Sequence, residues 1–367
     1  MPTFIYIHGR GLKPPKDQER KNWLDALNRG LARIAPPGHQ IADTDSFRLA
    51  YWSDLFYPAG SDAERDSTPV GVADPARAGL SGPQALAIAA FVERFWAWRL
   101  GQPAVVTEDP QTKQFEDNFV RDVIKFFGLG YGDTCAEPLR QELRQVPSGD
   151  PVMLVSHSFG TVLAYEVLVR DLDAINERRA RAGLDPVSID TWVTMGTPLG
   201  WALDLQAEVP GWQAQLIARV DQNLQPVLAE ARACIDAIGN LTQRRLGELF
   251  QQAPPPAVAP VTVVQLATKQ FPPRGVDRWF NIYDPRDPVA CGAGIGALHG
   301  GLAVGGTFLF DGRQRAFDVT IRNEGCPPEV VGIDLRAHQD FTGYGQCGQL
   351  AQLVSDFWER SGGRWES

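Results

Sequence analysis

The chain has 367 residues, of which 44% are hydrophobic and 22% charged, so it has the length and apolar content for a sizeable core. Its formal net charge of -9 argues against binding to the phosphate backbone of nucleic acids. The same acidic balance argues against a loose attraction to anionic lipid heads. We therefore do not expect nucleic acid as a partner.

Cysteine usage and the first residues bear on the compartment. The five cysteines are scattered singly, and an odd number fits free thiols better than a disulfide framework. The start, MPTFIYIHGRG, lacks the basic region and the longer apolar run of a signal peptide. No stretch approaches the ~18 to 20 apolar residues that span a bilayer. We expect a cytoplasmic protein without a transmembrane segment, with export that needs no cleavable signal as the alternative; the oligomeric state is not predicted.

Four short apolar runs, each ending in glycine or a polar turn, predict strands that are covered on both faces. These runs span residues 3–9, 151–158, 189–198 and 278–288. Helical patterns lie between them, and KNWLDALNRGLARI is an example. Its apolar stripe comprises Trp23, Leu24, Leu27, Leu31 and Ile34. Strands that alternate with helices predict an α/β fold with a mainly parallel central sheet flanked by helices.

Two segments interrupt this alternation, and we interpret them as helical insertions within a single domain over residues 1–367. They cover residues 55–130 and 201–260. The helical pattern FVERFWAWRL in the first insertion carries aromatic residues at helical spacing. This spacing favours core packing of the insertion, with a mobile cap or lid as the alternative. Nearer the C-terminus, Asp311-Gly312 between two apolar runs predicts a β-hairpin.

The stretch LVSHSFGTVLAYEVL, residues 154–168, places two serines on either side of a histidine, between a predicted strand and a predicted helix. A nucleophile elbow needs small residues two positions before and two positions after the serine, because its backbone turn is tight. Ser158 has Ser156 and Gly160 at these positions. Ser156 fits poorly, because Leu154 precedes it by two residues. We therefore predict Ser158 as the nucleophile.

A nucleophilic serine needs a base, which in this architecture follows the acid along the chain. His338 comes directly after the strand-like run EVVGIDLRA and is the predicted base. His299, in a glycine-rich stretch, is the alternative, although its surroundings favour a structural loop. His157 is not expected to be the base, because neighbouring side chains in such a turn diverge.

The stretch FNIYDPRDPVA offers two carboxylates for the acid that orients the base. We favour Asp287, because the proline after it makes its strand-end loop rigid. Asp284 is the alternative, although its side chain is suited to capping its own turn. Asp190 begins a strand, which is the wrong end for the site, and Asp204 is a weaker candidate in the following segment.

An ester carbonyl under attack needs backbone N–H donors for its negative oxygen. One donor is expected from Phe159, directly after the nucleophile. The other is expected from Arg10, because glycines on both sides of it let the backbone turn toward a substrate. His8, at the end of the first strand, is interpreted as a histidine that braces this loop.

The chain resembles the α/β-hydrolase superfamily, in particular its serine esterases and lipases. The resemblance covers most of the chain, through YIHGRG, LVSHSFGT, VTMGTPLG, NIYDPRDPVA and AHQDFTGY. It implies a doubly wound sheet with the site at the carboxyl ends of the strands. It also implies substrate contacts from residues of three of these motifs, namely Gly9, His157, Thr197, Pro198 and Leu199. The chain departs from the usual pattern at Ser156, which replaces the first glycine of the elbow.

We therefore expect a serine hydrolase that cleaves carboxylic esters of small molecules or lipids, with lipase and phospholipase activity among the options. The resemblance implies an acyl-enzyme on Ser158 and no metal or organic cofactor. An acyltransferase or amidase with the same triad is one alternative, and a non-catalytic hydrolase-like binding protein is another.

Overall fold

The structure is a computed structural model that describes ten stretches of the chain. They are residues 1–35, 39–41, 46–57, 131–199, 273–287, 289–290, 307–310, 313–324, 326 and 335–363. The chain divides into two compact units, one of residues 1–59, 134–202 and 267–367 and the other of 60–133 and 203–266. The predicted insertions lie outside the described residues apart from 55–57, so their role as a lid stays a prediction.

A seven-stranded sheet forms the centre of the first unit, in the order β2-β1-β3-β4-β5-β7-β6. Its strands are β1 Thr3–Ile7, β2 Phe47–Ala50, β3 Val152–His157, β4 Ile189–Met195, β5 Val276–Tyr283, β6 Thr307–Phe310 and β7 Arg313–Thr320. Six strands run parallel, and β6 pairs antiparallel with β7. The predicted α/β class with a mainly parallel sheet is confirmed. The antiparallel pairing of β6 with β7 confirms the predicted hairpin, although its turn residues Asp311 and Gly312 lie outside the described residues.

Helices cross between the strands in the described part of the chain. They are α1 Lys16–Ile34, α2 Ser53–Phe56, α3 Tyr131–Arg144, α4 Phe159–Glu166, α5 Leu172–Arg181 and α6 Gly348–Arg360. A π-helical turn, Val167–Asp171, joins α4 to α5. The predicted apolar stripe of α1 is buried except at Ile34, which is 40% exposed because the helix ends there.

Strand burial explains the continuous apolar runs in the sequence. Every residue of β1 and of β3 is buried, as expected for strands covered on both faces. On one face, Phe4 packs against Phe357 and Trp358 of α6, with ring centroids 5.2 and 5.5 Å apart. Elsewhere, Trp192 of β4 stacks on Trp279 of β5 at 4.5 Å.

Two elements differ from the sequence-based expectations. Strand β2 was not predicted, because FRLA is only four residues long and includes Arg48. The strand expected over EVVGIDLRA is wrong at its end, where Leu335–His338 forms a 3₁₀ turn. Instead of pairing with a strand, the carbonyls of Ala337 and Gln339 accept hydrogen bonds from the side-chain amide of Asn323, at 2.8 and 3.1 Å.

The strand order reverses between two central strands, β1 and β3. Strand β1 lies between β2 and β3, so the chain leaves β1 toward one side of the sheet and later returns on the other. Ligands of open α/β sheets bind where the strand order reverses in this way. The turn after β1 and the turn after β3 therefore border the expected position of a site.

Candidate active site

Ser158 occupies a strained turn between β3 and α4. Its φ is 52° and its ψ is −130°. Among the described residues, it is the only non-glycine residue with a positive φ. Backbone strain of this kind costs on the order of 1–3 kcal/mol, and it persists where surrounding contacts enforce it. Here the Ser158 N–H donates to the carbonyl of Met195 at 2.9 Å, and the Ser158 carbonyl accepts from the Thr161 N–H at 3.0 Å.

Two glycines allow the end of β1 to lie directly against this turn. A Cβ on Gly9 would come within 2.7 Å of the Ser158 Cβ, and a Cβ on Gly160 would collide with the carbonyl oxygens of Ile7 and His8. Gly160 is the small residue that the elbow pattern requires. The contact brings the loop after β1 next to the Ser158 side chain.

Ser156, which replaces the usual glycine of the elbow, has a structural role. Its side chain is fully buried, and its Oγ donates to the carbonyl of Val193 at 3.3 Å. The same Oγ accepts from the indole N–H of Trp192 at 3.0 Å and from the hydroxyl of Thr161 at 3.2 Å. The serine thus links β3 to β4 and to the first turn of α4.

The predicted nucleophile, base and acid lie within hydrogen-bonding distance of one another. His338 Nε2 is 2.8 Å from Ser158 Oγ, and His338 Nδ1 is 2.8 Å from Asp287 Oδ2. An acid on one side and a hydroxyl on the other favour the tautomer in which Nδ1–H donates to Asp287 and Nε2 accepts from the serine. The three side chains form the relay that acyl transfer to a serine requires.

Asp287 is buried and held by contacts to both carboxylate oxygens. Its Oδ1 accepts from the backbone N–H groups of Val289 and Ala290, at 2.8 and 3.3 Å. Its Oδ2 accepts from the Tyr344 hydroxyl at 2.9 Å as well as from His338. These bonds aim Oδ2 at the imidazole.

The alternative acids have other partners. Asp284 pairs with Arg286 at 2.6 Å and accepts from the Asn323 N–H at 2.7 Å. Burial alone would raise the pKa of Asp284, but these hydrogen bonds and the Arg286 charge outweigh it and lower the pKa below its usual value. Asp190, at the start of β4, pairs with Arg278 at 2.9 Å. Asp204 and His299 lie outside the described residues.

His8 braces the loop after β1, as the sequence suggested. Its Nε2 accepts from the Trp52 N–H at 3.0 Å, so its Nδ1 carries the proton and donates to the Gly9 carbonyl at 2.7 Å. The ring stacks on Trp52 at 4.9 Å, and burial lowers the pKa of His8 to about 3, which keeps it neutral. Tyr57 also holds the loop, because its hydroxyl accepts from the Gly11 N–H at 3.1 Å.

This bracing fixes the peptide that joins Gly9 to Arg10. In a trans peptide the carbonyl and the next N–H point in opposite directions. Because the Gly9 carbonyl faces the His8 ring, the Arg10 N–H points away from that ring. Phe159, the other predicted donor, is the first residue of α4 and directly follows Ser158.

Sequence reasoning missed Gly196, at the start of the MGTPLG loop. Its φ is +52°, and a Cβ there would lie 2.8 Å from Asp287 Oδ2 and 3.0 Å from His338 Nδ1. Only glycine combines this backbone with so close an approach to the acid and the base. The next residues of the loop, predicted to line a substrate pocket, are buried beside this contact. They are Thr197, Pro198 and Leu199.

Tyr344 and Asn323 were also missed, since nothing in their local sequence separates them from ordinary loop residues. The Tyr344 hydroxyl accepts from the Asp284 N–H at 2.9 Å and donates to Asp287, so one side chain holds both ends of the acid loop. Burial, and then the Asp287 charge, raise the pKa of Tyr344 well above its usual value. Its proton therefore stays available to the acid.

His157, predicted to contact substrate, is 4% exposed and packs behind the base. Its ring stacks on His338, with centroids 4.8 Å apart and planes 29° apart. Burial, and then the proximity of His338, lower its pKa well below the usual value, so the ring is neutral. This position favours contact with His338 over contact with a substrate.

Neither a metal cluster nor a membrane span is found in the described part of the chain. No three His, Cys, Asp or Glu side chains there could hold a metal ion. No described helix has the length and apolar character needed to cross a bilayer.

Comparison with protein-family models, with curated proteins and with solved structures finds no match.

Proposed function

We propose that the chain is a serine hydrolase of the α/β-hydrolase type, which cleaves carboxylic esters through an acyl-enzyme on Ser158. The observation that carries the proposal is the relay of two 2.8 Å hydrogen bonds from Ser158 through His338 to Asp287. Its position at the carboxyl ends of neighbouring parallel strands, on a strained turn, supports the same reaction.

The first half of the proposed reaction forms the acyl-enzyme. Ser158 Oγ attacks the ester carbonyl carbon while His338 Nε2 takes its proton. Asp287 accepts a hydrogen bond from the Nδ1–H of His338 throughout and stabilises the imidazolium. The backbone amides of Arg10 and Phe159 are assigned to the negative oxygen of the tetrahedral intermediate. When that intermediate collapses, the alcohol leaves with the proton from His338.

The second half removes the acyl group by the same groups. His338 takes a proton from water, and the resulting hydroxide attacks the acyl carbon bound to Ser158. Collapse of the second intermediate returns the proton to Ser158 Oγ and releases the carboxylic acid. On the protein side, these side chains and backbone amides carry all the proposed steps.

The proposal is tested by intact mass after incubation with a fluorophosphonate, which modifies only an activated serine. The expected result is a single adduct on the wild type and on Ser156→Ala, and none on Ser158→Ala. Ser156→Ala is the matched control, since Ser156 lies two residues before Ser158 at the end of β3 and its hydroxyl bonds only within the core. Absence of an adduct on folded wild type, with and without detergent, would favour the non-catalytic binding protein.

The class of reaction is then tested with ester substrates. We expect hydrolysis of p-nitrophenyl esters by the wild type and its loss in Ser158→Ala. A series of rising acyl chain length, followed by phospholipids, reports the preferred substrate. Transfer of the acyl group to an added alcohol or amine, in preference to water, would reassign the chain as an acyltransferase.

A further inference from the structure

A group of buried polar side chains lies behind the proposed base. It consists of the Tyr6 hydroxyl, the Glu19 carboxyl, the Trp23 indole and the His157 imidazole, and we call it the rear cluster. All four residues are at most 4% exposed. The Trp23 indole interacts with the Tyr6 hydroxyl and with the Glu19 carboxyl, and His157 interacts with the backbone of His338. Among the described residues, none of these contacts has the geometry of a normal hydrogen bond.

The rear cluster is continuous from α1 and β1 to the base. The rings of Tyr6 and Trp23 have centroids 3.8 Å apart, and Glu19 lies one helical turn before Trp23 on α1. The ring centroids of Trp23 and His157 are 6.3 Å apart, and the His157 ring stacks on the His338 ring with centroids 4.8 Å apart. The cluster therefore supports the face of the His338 ring, while Asp287 and Ser158 hold its edges.

An apolar ring would fill the position of His157 at lower cost. A buried polar group without a hydrogen bond costs about 1–3 kcal/mol, and the rear cluster holds several such atoms. The imidazole of His157 is therefore better explained by a use for its nitrogens than by packing alone.

We propose that His157 is a positioning residue, whose neutral ring is stacked on His338 and backed by the rear cluster, and so holds His338 in its reactive orientation. The inference rests on the proposed function, because it concerns the base of that reaction. A neutral ring suits the role, since a second cation under His338 would oppose the positive charge that His338 gains during catalysis. Restricting the imidazole matters because small misplacements of a catalytic group slow a reaction strongly.

Charged groups face the rear cluster from two loops. Lys13, after β1, pairs with Asp340, after the base, at 3.1 Å, and the two side chains are 15% and 20% exposed. The Asp340 charge tends to raise the pKa of His157, and the Lys13 charge opposes it. Within the cluster, Glu19 is the group that gains charge near neutral pH, because burial raises its pKa to about 7. His8 and Tyr344, also packed nearby, carry no charge at neutral pH.

The test compares His157→Phe, which keeps a flat ring and removes both nitrogens, with Trp23→Phe, which removes the indole N–H of the rear cluster together with part of the ring. Trp358→Phe is the matched control, because Trp358 is a buried indole that stacks on Phe4 in another part of the core. Two quantities are measured for each folded variant. They are kcat and KM for a p-nitrophenyl ester across pH 5 to 9, and the far-downfield proton NMR signal of the His338–Asp287 hydrogen bond.

We expect His157→Phe to lower kcat at least about tenfold with little change in KM, and to shift or broaden the downfield signal. Trp23→Phe should show the same changes to a smaller extent, and Trp358→Phe should show neither. If His157→Phe keeps the wild-type kcat, pH profile and signal, the inference is wrong. If His157→Phe fails to fold, Trp23→Phe decides in the same way.

The two proposals fail separately in this experiment. A wild type that hydrolyses no ester and takes no fluorophosphonate refutes the proposed function. The downfield signal then still tests the positioning role, because the His338–Asp287 bond forms without substrate. An unchanged signal in His157→Phe and in Trp23→Phe would overturn the inference whatever the activity.

Discussion

At the scale of single residues, Gly196 offers the sharpest test of how closely the acid and base are packed. Gly196→Ala adds a Cβ 2.8 Å from Asp287 Oδ2, at a φ of +52°. We expect kcat for a p-nitrophenyl ester to fall about 100-fold, because the new methyl displaces the acid or the base. Strain at this φ should also lower the free energy of unfolding by about 1–3 kcal/mol in a urea titration.

Gly183→Ala separates these two effects. Gly183 has a φ of +75°, but a Cβ there meets nothing within 4 Å. The control should therefore share the loss of stability from backbone strain and keep the wild-type kcat. Equal losses of kcat in the two variants would mean that backbone strain, and not the contact with the triad, explains Gly196.

Tyr344 is the second residue whose contacts yield a prediction. Tyr344→Phe removes one hydrogen bond to Asp287 and leaves the buried Asp284 N–H without its acceptor. We expect a loss of about 1.5–3 kcal/mol in the free energy of unfolding and about a tenfold lower kcat, because a hydrogen bond to a charged group is lost. Urea titration and ester kinetics measure the two effects.

Tyr165→Phe is the comparison for Tyr344→Phe, since Tyr165 is a buried tyrosine on α4. It should lower stability without the tenfold loss of kcat. If Tyr344→Phe is destabilised but retains full kcat, Tyr344 supports the fold alone and does not orient the acid.

At the scale of elements, the loop after β1 is braced by His8 and carries the Arg10 N–H that is proposed to bind the oxyanion. His8→Phe would keep a ring against Trp52 but release the Gly9 carbonyl, so the Arg10 N–H would lose its fixed direction. We expect kcat to fall by about 10- to 100-fold with KM nearly unchanged, because oxyanion bonds strengthen in the transition state. A raised KM with an unchanged kcat would show that this loop binds substrate and does not stabilise the oxyanion.

The strand-end turns are also the parts of the candidate site whose geometry follows most directly from the sequence. Ser158, Gly160 and the loop after β1 could be predicted, because each depends on a short local pattern of strand, small residues and turn. His338 was predicted as the base from its place in the chain, although a 3₁₀ turn and not a strand precedes it. These predictions needed only neighbours in sequence and the order of the motifs.

Contacts between distant segments could not be predicted. Tyr344 contacts Asp287 across 57 positions, and Gly196 approaches Asp287 and His338 only once β4 and β5 have paired. The stacking of His157 on His338 likewise depends on packing among β1, α1 and the loop after the base. A sequence pattern carries no signal for which tyrosine or glycine completes such a contact.

At the scale of the whole molecule, the parallel sheet assembles the site from remote parts of the chain. Ser158 and Asp287 lie near each other because the parallel strands β3 and β5 end at one edge of the sheet. His338, at the end of a 3₁₀ turn 180 positions from Ser158 and 51 from Asp287, reaches the same edge. The rear cluster joins this edge to α1. Conditions that weaken the packing of α1 should therefore also weaken the support of the base.

Glu19 makes the stability of the molecule depend on pH. Burial raises the pKa of Glu19 to about 7, against 4.5 for a free side chain, with an opposing effect from the Lys13 charge. Because the folded pKa is the higher one, the folded chain holds the proton more tightly than the unfolded chain does. The stabilisation is complete below about pH 4.5 and is lost as the pH rises through about 7.

This linkage corresponds to about 3 kcal/mol between the two limits. The free energy of unfolding is measured by urea titration at several pH values for the wild type and for Glu19→Gln. Between pH 4.5 and pH 7.5, we expect the wild type to lose about 3 kcal/mol more than Glu19→Gln does. The exposed Glu177 supplies the control, and Glu177→Gln should follow the wild-type curve. Parallel curves for the wild type and Glu19→Gln would mean that the Glu19 carboxylate finds a partner when it ionises. In that case water or Lys13 would compensate its charge inside the rear cluster, and α1 would stay packed against the base at alkaline pH.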